Sequence, residues 1–160
     1  MKQETKKMVN VFNKDFLDFL HSLNNNKVAY LLVGGYAVIL HGYSRTTGDL
    51  DIWVKRTKEN YECLLSAFKE FGMPVFDMTE ENFLFHEEWD VFRFGRNPSA
   101  IDIMTKMGDL HFDSCFDMAN LYPVEGVEIK LVHYTHLIKA KQAAGRFKDL
   151  NDLENLPKQI

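Results

Sequence analysis

Cysteine is scarce in this chain: two residues among 160, Cys63 and Cys115, without paired spacing. That argues against a disulfide framework and fits a reducing cytoplasm. Long apolar runs are missing too. The longest, Ala29 to Leu40, is interrupted by Gly34-Gly35 and falls short of the roughly 20 residues that cross a bilayer, so no membrane partner is expected. Nor is there a basic excess, since 19 Lys and Arg face 23 Asp and Glu for a net charge of −4. A dedicated nucleic-acid binder would usually be basic, although a local basic patch is compatible with this balance. Met1 to Lys7 is basic but leads into Phe12, Phe16, Phe19 and Leu20 spaced with acids and amides, which predicts an amphipathic helix rather than a signal peptide. No repeat, low-complexity tract or long linker occurs, so a single domain over 1–160 is expected.

What is present suits a packed α/β protein. Apolar residues make up 46% of the chain, and 13 Phe, six Tyr and two Trp supply bulky core material. A helical stripe predicts an N-terminal helix over about 9–24, ended by Asn24-Asn25-Asn26. Ala29–Val33 reads as a buried strand that stops at a Gly pair, and Tyr36–His41 as a short helix closed by Gly42. Leu50–Val54 is a second strand, and Thr57 caps a helix that runs to Phe71 before Gly72. Thr79-Glu80-Glu81 marks a short capped helix or turn. Val91–Phe94 and Ile101–Met104, joined through Gly95-Arg96-Asn97-Pro98, predict an antiparallel hairpin. Leu110–Met118 is ambiguous, Val127–Val132 is a last strand, and closing helices over about 133–157 flank Gly145. The core spans about 28–132.

The chemistry concentrates in Val33-Gly34-Gly35-Tyr36 and Gly48-Asp49-Leu50-Asp51-Ile52-Trp53-Val54. A Gly pair between strand and helix lets backbone approach a ligand closely, and the helix start offers N–H groups to phosphate. Asp49 and Asp51 alternate with Leu50 and Ile52, so on a strand both carboxylates share one face. Two like charges held together call for a cation or a proton. Oxygen ligands of this kind suit Mg²⁺ or Mn²⁺ that also touches substrate phosphates. Asp102, between Ile101 and Ile103, repeats the pattern of an acid embedded in a strand and would complete a three-carboxylate site. The bland alternative places these acids at strand ends, facing water.

Other constellations carry less. His133-x-x-His136 has no Cys or acid beside it to make a zinc site, and Cys115 near His111 lacks an orienting third group. Phe83, Phe85, Trp89, Phe92 and Phe94 read as core or hairpin packing.

Taken together, Gly34-Gly35-Tyr36-Ala37, Arg45-Thr46-Thr47, Asp49-x-Asp51, Asp102 and Lys141-Gln142-Ala143-Ala144-Gly145-Arg146-Phe147-Lys148-Asp149-Leu150-Asn151-Asp152 resemble the polymerase-β-like nucleotidyltransferases. The resemblance is to their small bacterial branch of minimal nucleotidyltransferases and AbiEii-type toxin enzymes, and it runs from about Tyr30 to Leu156. It implies an α/β (α+β) fold with a mixed β-sheet flanked by helices. It also implies a nucleoside triphosphate (NTP) held by Gly34, Gly35, Arg45, Lys141 and Arg146. Asp49, Asp51 and Asp102 would bind the metals, with Asp102 helping to deprotonate an acceptor hydroxyl. Asp149 and Asp152 are expected to cap the last helix or pair with the neighbouring cations. The expected function is metal-dependent transfer of a nucleoside monophosphate from an NTP to RNA (tRNA included), a protein or a small molecule. A non-catalytic nucleotide- or partner-binding module, half of a toxin–antitoxin pair, is the alternative. Little chain is left for a separate acceptor-gripping domain, and oligomeric state is not legible.

Overall fold

The structure is a computed structural model that describes residues 11–96 and 99–158. The expectations for Met1–Lys7, for a helix start at Val9, and for Asn97-Pro98 lie outside those residues. Among the described residues the first helix is α1 (Lys14–Asn25), which the Asn13 side chain caps by accepting from the Phe16 N–H at 2.7 Å. Strand β1 (Tyr30–Val33) runs directly into α2 (Gly34–Leu40). The Gly pair is therefore the first turn of the helix rather than a linker before it.

Strand β2 (Leu50–Val54) follows, then α3 (Lys58–Phe71), capped by Thr57 and stopped at Gly72 in the left-handed region (φ 89°). The short α4 (Glu80–Phe85) starts at Thr79. Strands β3 (Val91–Phe94) and β4 (Ile101–Met104) form the expected antiparallel hairpin, with Arg93 opposite Asp102. The ambiguous stretch is α5 (Phe112–Asp117). Strand β5 (Asn120–Val124) was not anticipated; it pairs with β6 (Val127–Leu131) through Glu125-Gly126, both at positive φ as tight hairpin turns require. The closing helices are α6 (Tyr134–Ala144) and α7 (Phe147–Asn155).

The strands form one mixed sheet in the order β3-β4-β2-β1-β6-β5. At its centre β1 lies antiparallel to β2 and parallel to β6, and β2 lies parallel to β4. Alternation on β2 sends Leu50, Ile52 and Val54 to one face, where α1 and α3 bury them with β4's Ile101 and Ile103. Edge-to-face contacts of Phe19 with Phe68 (5.6 Å) and of Phe68 with Phe94 (4.9 Å) tie that layer together. The opposite face carries Asp51 and Trp53 of β2 beside Asp102 and Met104 of β4. Helix α5 covers part of it through Phe112 against Trp53 (5.2 Å), and α6 leans over the rest. No helix among the described residues is long and apolar enough to cross a membrane.

Candidate active site

Between this second face and helices α6 and α7 lies a cavity of about 450 Å³. Its lining includes Gly34, Gly35, Arg45, Thr47, Asp49, Asp51, Lys141, Arg146 and Lys148. The segments that sequence motifs singled out thus line one opening, Asp102 excepted.

At the acidic end, the parallel register of β2 and β4 sets Asp51 directly beside Asp102. Asp49, one step before β2, accepts from the Ala100 N–H at 3.2 Å, which fixes it near the start of β4. Arg93 bridges the cluster: its Nη2 lies 3.0 Å from Asp49 Oδ2 and 3.1 Å from Asp102 Oδ2. This one guanidinium compensates the group only in part. Burial, followed by repulsion from Asp102 and Asp49, pushes the Asp51 carboxyl up to about 7, with Lys148 opposing. Burial likewise raises Asp102 above the ordinary carboxylate range, against the pull of Arg93. Asp102 Oδ1 is buried with no hydrogen-bond partner among the described residues.

These observations bear on whether a divalent cation fits. A buried unpartnered carboxylate oxygen, a second carboxyl raised by burial and by its acidic neighbours, and an all-oxygen donor set are the chemistry that suits Mg²⁺ or Mn²⁺. As they stand, however, no three His, Cys, Asp or Glu side chains among the described residues are arranged to hold a metal ion. Arg93 sits between Asp49 and Asp102, so a cation there would have to displace it.

The Gly pair has an internal reason that sequence did not give. A Cβ on Gly34 (φ 72°) would collide with the Asp51 carboxylate, and one on Gly35 would collide with Thr47 Oγ1. Side chains are excluded here by the packing of the turn on β2 and its approach loop, before any ligand enters. Gly35→Val is therefore a test of folding, not of ligand approach.

The basic end is built differently. Arg45 makes a two-pronged contact with Asp152, Nε to Oδ1 at 2.7 Å and Nη2 to Oδ2 at 2.9 Å. Lys141 Nζ lies 3.1 Å from Asp149 Oδ1 and 3.0 Å from Asp152 Oδ2. Arg146 Nε donates to Asp149 Oδ2 at 2.6 Å, and that same oxygen accepts from the Arg146 backbone N–H at 3.1 Å to cap α7. Asp149 thus both caps the helix and pairs, and Asp152 pairs. Burial pushes the Asp149 carboxyl up, but hydrogen bonds from Arg146 and Lys141 outweigh it and hold the group below its ordinary value. Three cations on two carboxylates leave one positive charge, and exposed Lys148 adds another facing Asp51.

Arg93, Lys148 and Thr47 were not foreseen as parts of the site. The hairpin register held the signal for Arg93, because pairing Phe94 with Ile101 necessarily sets residue 93 opposite 102.

No protein-family model matches the chain, and no curated protein matches it. Among solved structures it is similar to the lincosamide antibiotic adenylyltransferase LnuA with lincomycin bound, at 14% identity and a TM-score of 0.59, over 92% of this chain and 98% of that one. It is also similar to a candidate nucleotidyltransferase from Thermotoga maritima, at 14% identity and a TM-score of 0.54, over 87% of this chain and 88% of that one. With β2 and β4 side by side and the Gly turn above them, the chain has the polymerase-β-like nucleotidyltransferase fold.

Proposed function

We propose that this protein transfers a nucleoside monophosphate from an NTP to an acceptor hydroxyl. The observation that carries this reading is the under-compensated Asp51, in register with Asp102 and beside Asp49, opening on a cavity whose far end is cationic. Arg45, Lys141, Arg146 and Lys148 would bind the β- and γ-phosphates, with the turn at Gly34 and Gly35 alongside. Asp49, Asp51 and Asp102 would hold Mg²⁺ or Mn²⁺, which when bound supplies Lewis acidity and offsets phosphate charge. Asp102 would orient the acceptor and take its proton as the acceptor oxygen bonds to the α-phosphorus. The bond from the α-phosphorus to the bridging oxygen breaks, and pyrophosphate leaves with those electrons.

The similar LnuA structure is an antibiotic adenylyltransferase, which makes ATP and a small-molecule acceptor the first pair to try. RNA and protein acceptors, and membership of a toxin–antitoxin pair, follow from the family resemblance alone. A second reading, a binding module without turnover, is favoured by the Arg93 bridge, which already neutralises part of the acidic cluster. Incubation with each α-labelled NTP, Mg²⁺ or Mn²⁺, and a lysate or small-molecule hydroxyl panel separates the two. A labelled acceptor supports the enzyme. Absence of label with every NTP and metal, from a protein that still binds NTP, supports the module.

A further inference from the structure

The His133-x-x-His136 pair finds no third ligand for a metal among the described residues, yet it stands where three elements meet. Strand β6 ends at Leu131, and Val132 and His133 lead into α6. His41, at the end of α2, holds this junction: its Nε2 lies 2.7 Å from the Val132 carbonyl oxygen, and its ring meets Tyr134 edge-on at 5.8 Å. The rings of His133 and His136 stand 6.3 Å apart.

The hydrogen bonds fix where the protons sit. A carbonyl oxygen only accepts, so His41 Nε2 donates, and that bond survives a second proton on the ring. His133 is the opposite case. It is the N-cap of α6, and its Nδ1 accepts from the Thr135 N–H at 3.1 Å. Nδ1 accepts only while it carries no proton, so this cap belongs to the neutral ring alone. The usual cap residues, Ser, Thr, Asp and Asn, keep their acceptor oxygens across neutral pH, whereas imidazoles titrate between about pH 5 and 8. A proton on His133 also adds positive charge at the positive end of a helix. The titratable groups that face it are His41 from α2 and His136 from α6, with Lys139 acting on His136. Helix α7, packed along α6, carries Asp149 and Asp152, which Arg45, Lys141 and Arg146 already engage. On β6, Lys130 turns onto the Tyr30 and Phe116 rings. None of the three imidazoles pairs with a carboxylate among the described residues.

We propose that His133 is a proton-operated cap on α6: on acidification the cap opens and the first turn of the helix loosens. That turn holds His136 and Leu137, which line the cavity, and Ala140 and Lys141 continue the same wall. Acid therefore loosens one wall of the cavity, whatever ligand the cavity takes. His41 and His136 act in the same direction without being caps. Burial lowers the pKa of both, with His133 adding to it, against the Val132 bond in the case of His41. Their contribution to stability is full above the ordinary value of 6.5 and is lost as pH falls below it toward the lowered values. The test must separate His133 from these two.

Three variants of the full chain do so. His133→Asn and His133→Ser keep a cap oxygen that does not titrate, and His133→Ala removes the cap; all three leave His41 and His136 in place. At pH 8 the Asn and Ser variants should melt within about 1 °C of the wild type, and the Ala variant about 2–4 °C lower, as a lost cap of ordinary strength implies. At pH 5 the wild type should have fallen to the level of the Ala variant or below it, with the Asn and Ser variants about 2–4 °C above both. Amide exchange locates the effect. Corrected for the intrinsic pH dependence and read against amides of α3, the Thr135 and His136 amides of the wild type should lose about fivefold in protection between pH 8 and pH 5. The Asn and Ser variants should keep theirs. Wild type, Asn and Ser variants that melt in parallel from pH 8 to pH 5 would overturn the proposal. So would an Ala variant that stays below the wild type by the same amount at both ends, or wild-type Thr135 protection that does not change.

Discussion

Two carboxylate clusters reach the same cavity, one through Asp49 and Asp51 and the other through Asp149, and the protein treats them in opposite ways. Asp149 and Asp152 are 0% and 1% exposed, and Arg45, Lys141 and Arg146 surround them with hydrogen bonds, so Asp149 ionises more readily than usual. Asp102 shares one guanidinium with Asp49 and keeps a buried oxygen unmet, and both it and the neighbouring Asp51 hold protons more tightly than usual. Charge satisfied inside the chain is architecture: the Arg45–Asp152 contact fastens the segment before β2 to α7. Charge left unsatisfied is a demand on a ligand, because a fold seldom keeps adjacent buried acids uncompensated without use for them.

The contrast can be broken most severely at its architectural pole. Asp152→Ala should strand Lys141 and Arg45 without their shared partner and cost about 3–5 kcal/mol, read as a fall in denaturation midpoint at constant m-value. A loss below about 1 kcal/mol would make the network a surface ornament. At the other pole, Asp102→Asn keeps the shape and should leave the melting point and NTP affinity nearly intact while lowering turnover by about 10²–10³. Full activity in that variant would remove the carboxylate mechanism and leave the fold standing. Arg93→Met should have a smaller effect of unusual sign, tightening Mn²⁺ binding up to about fivefold in an EPR titration because it removes a competing cation. Weaker Mn²⁺ binding would instead make Arg93 the organiser of the carboxylates.

Much of this arrangement was legible in the sequence, for identifiable reasons. Leu50–Val54 alternates, Thr57 and Gly72 punctuate α3, and Gly145 separates the closing helices, so local chemistry and tertiary packing agree at those points. Strand β5 was hidden because its residues are largely exposed and include Asn120 and Pro123, which weaken any alternating pattern; it persists as an edge strand through its pairing with β6. The start of α2 at Gly34 was missed because glycine carries low helix propensity, while the space against Asp51 and Thr47 demands it. Asp49, Asp51 and Asp102 could be named from their pattern, but not Arg93, whose meaning depends on cross-strand register. Nor could spacing show that Trp53 Nε1 and His136 Nδ1 are buried without hydrogen-bond partners among the described residues.

The most direct test of the contrast is the melting temperature of Asp51→Asn in chelator across pH. In the folded protein the Asp51 carboxyl gives up its proton at about 7, against an ordinary value of 3.8. Between those values the folded chain holds the extra proton, so this group's contribution to stability is present below about pH 4 and is lost as pH rises through 7. Removing the carboxylate should therefore raise the melting temperature at pH 8 by a few degrees, about 2–4 °C per kcal/mol for a chain of this size. The gain should shrink toward pH 5, and Mg²⁺ with NTP should stabilise the wild type more than the variant. A melting temperature that falls at pH 8 in chelator, as it should for Asp152→Ala, would contradict the account: Asp51 would then belong to the architecture, like the cluster across the cavity.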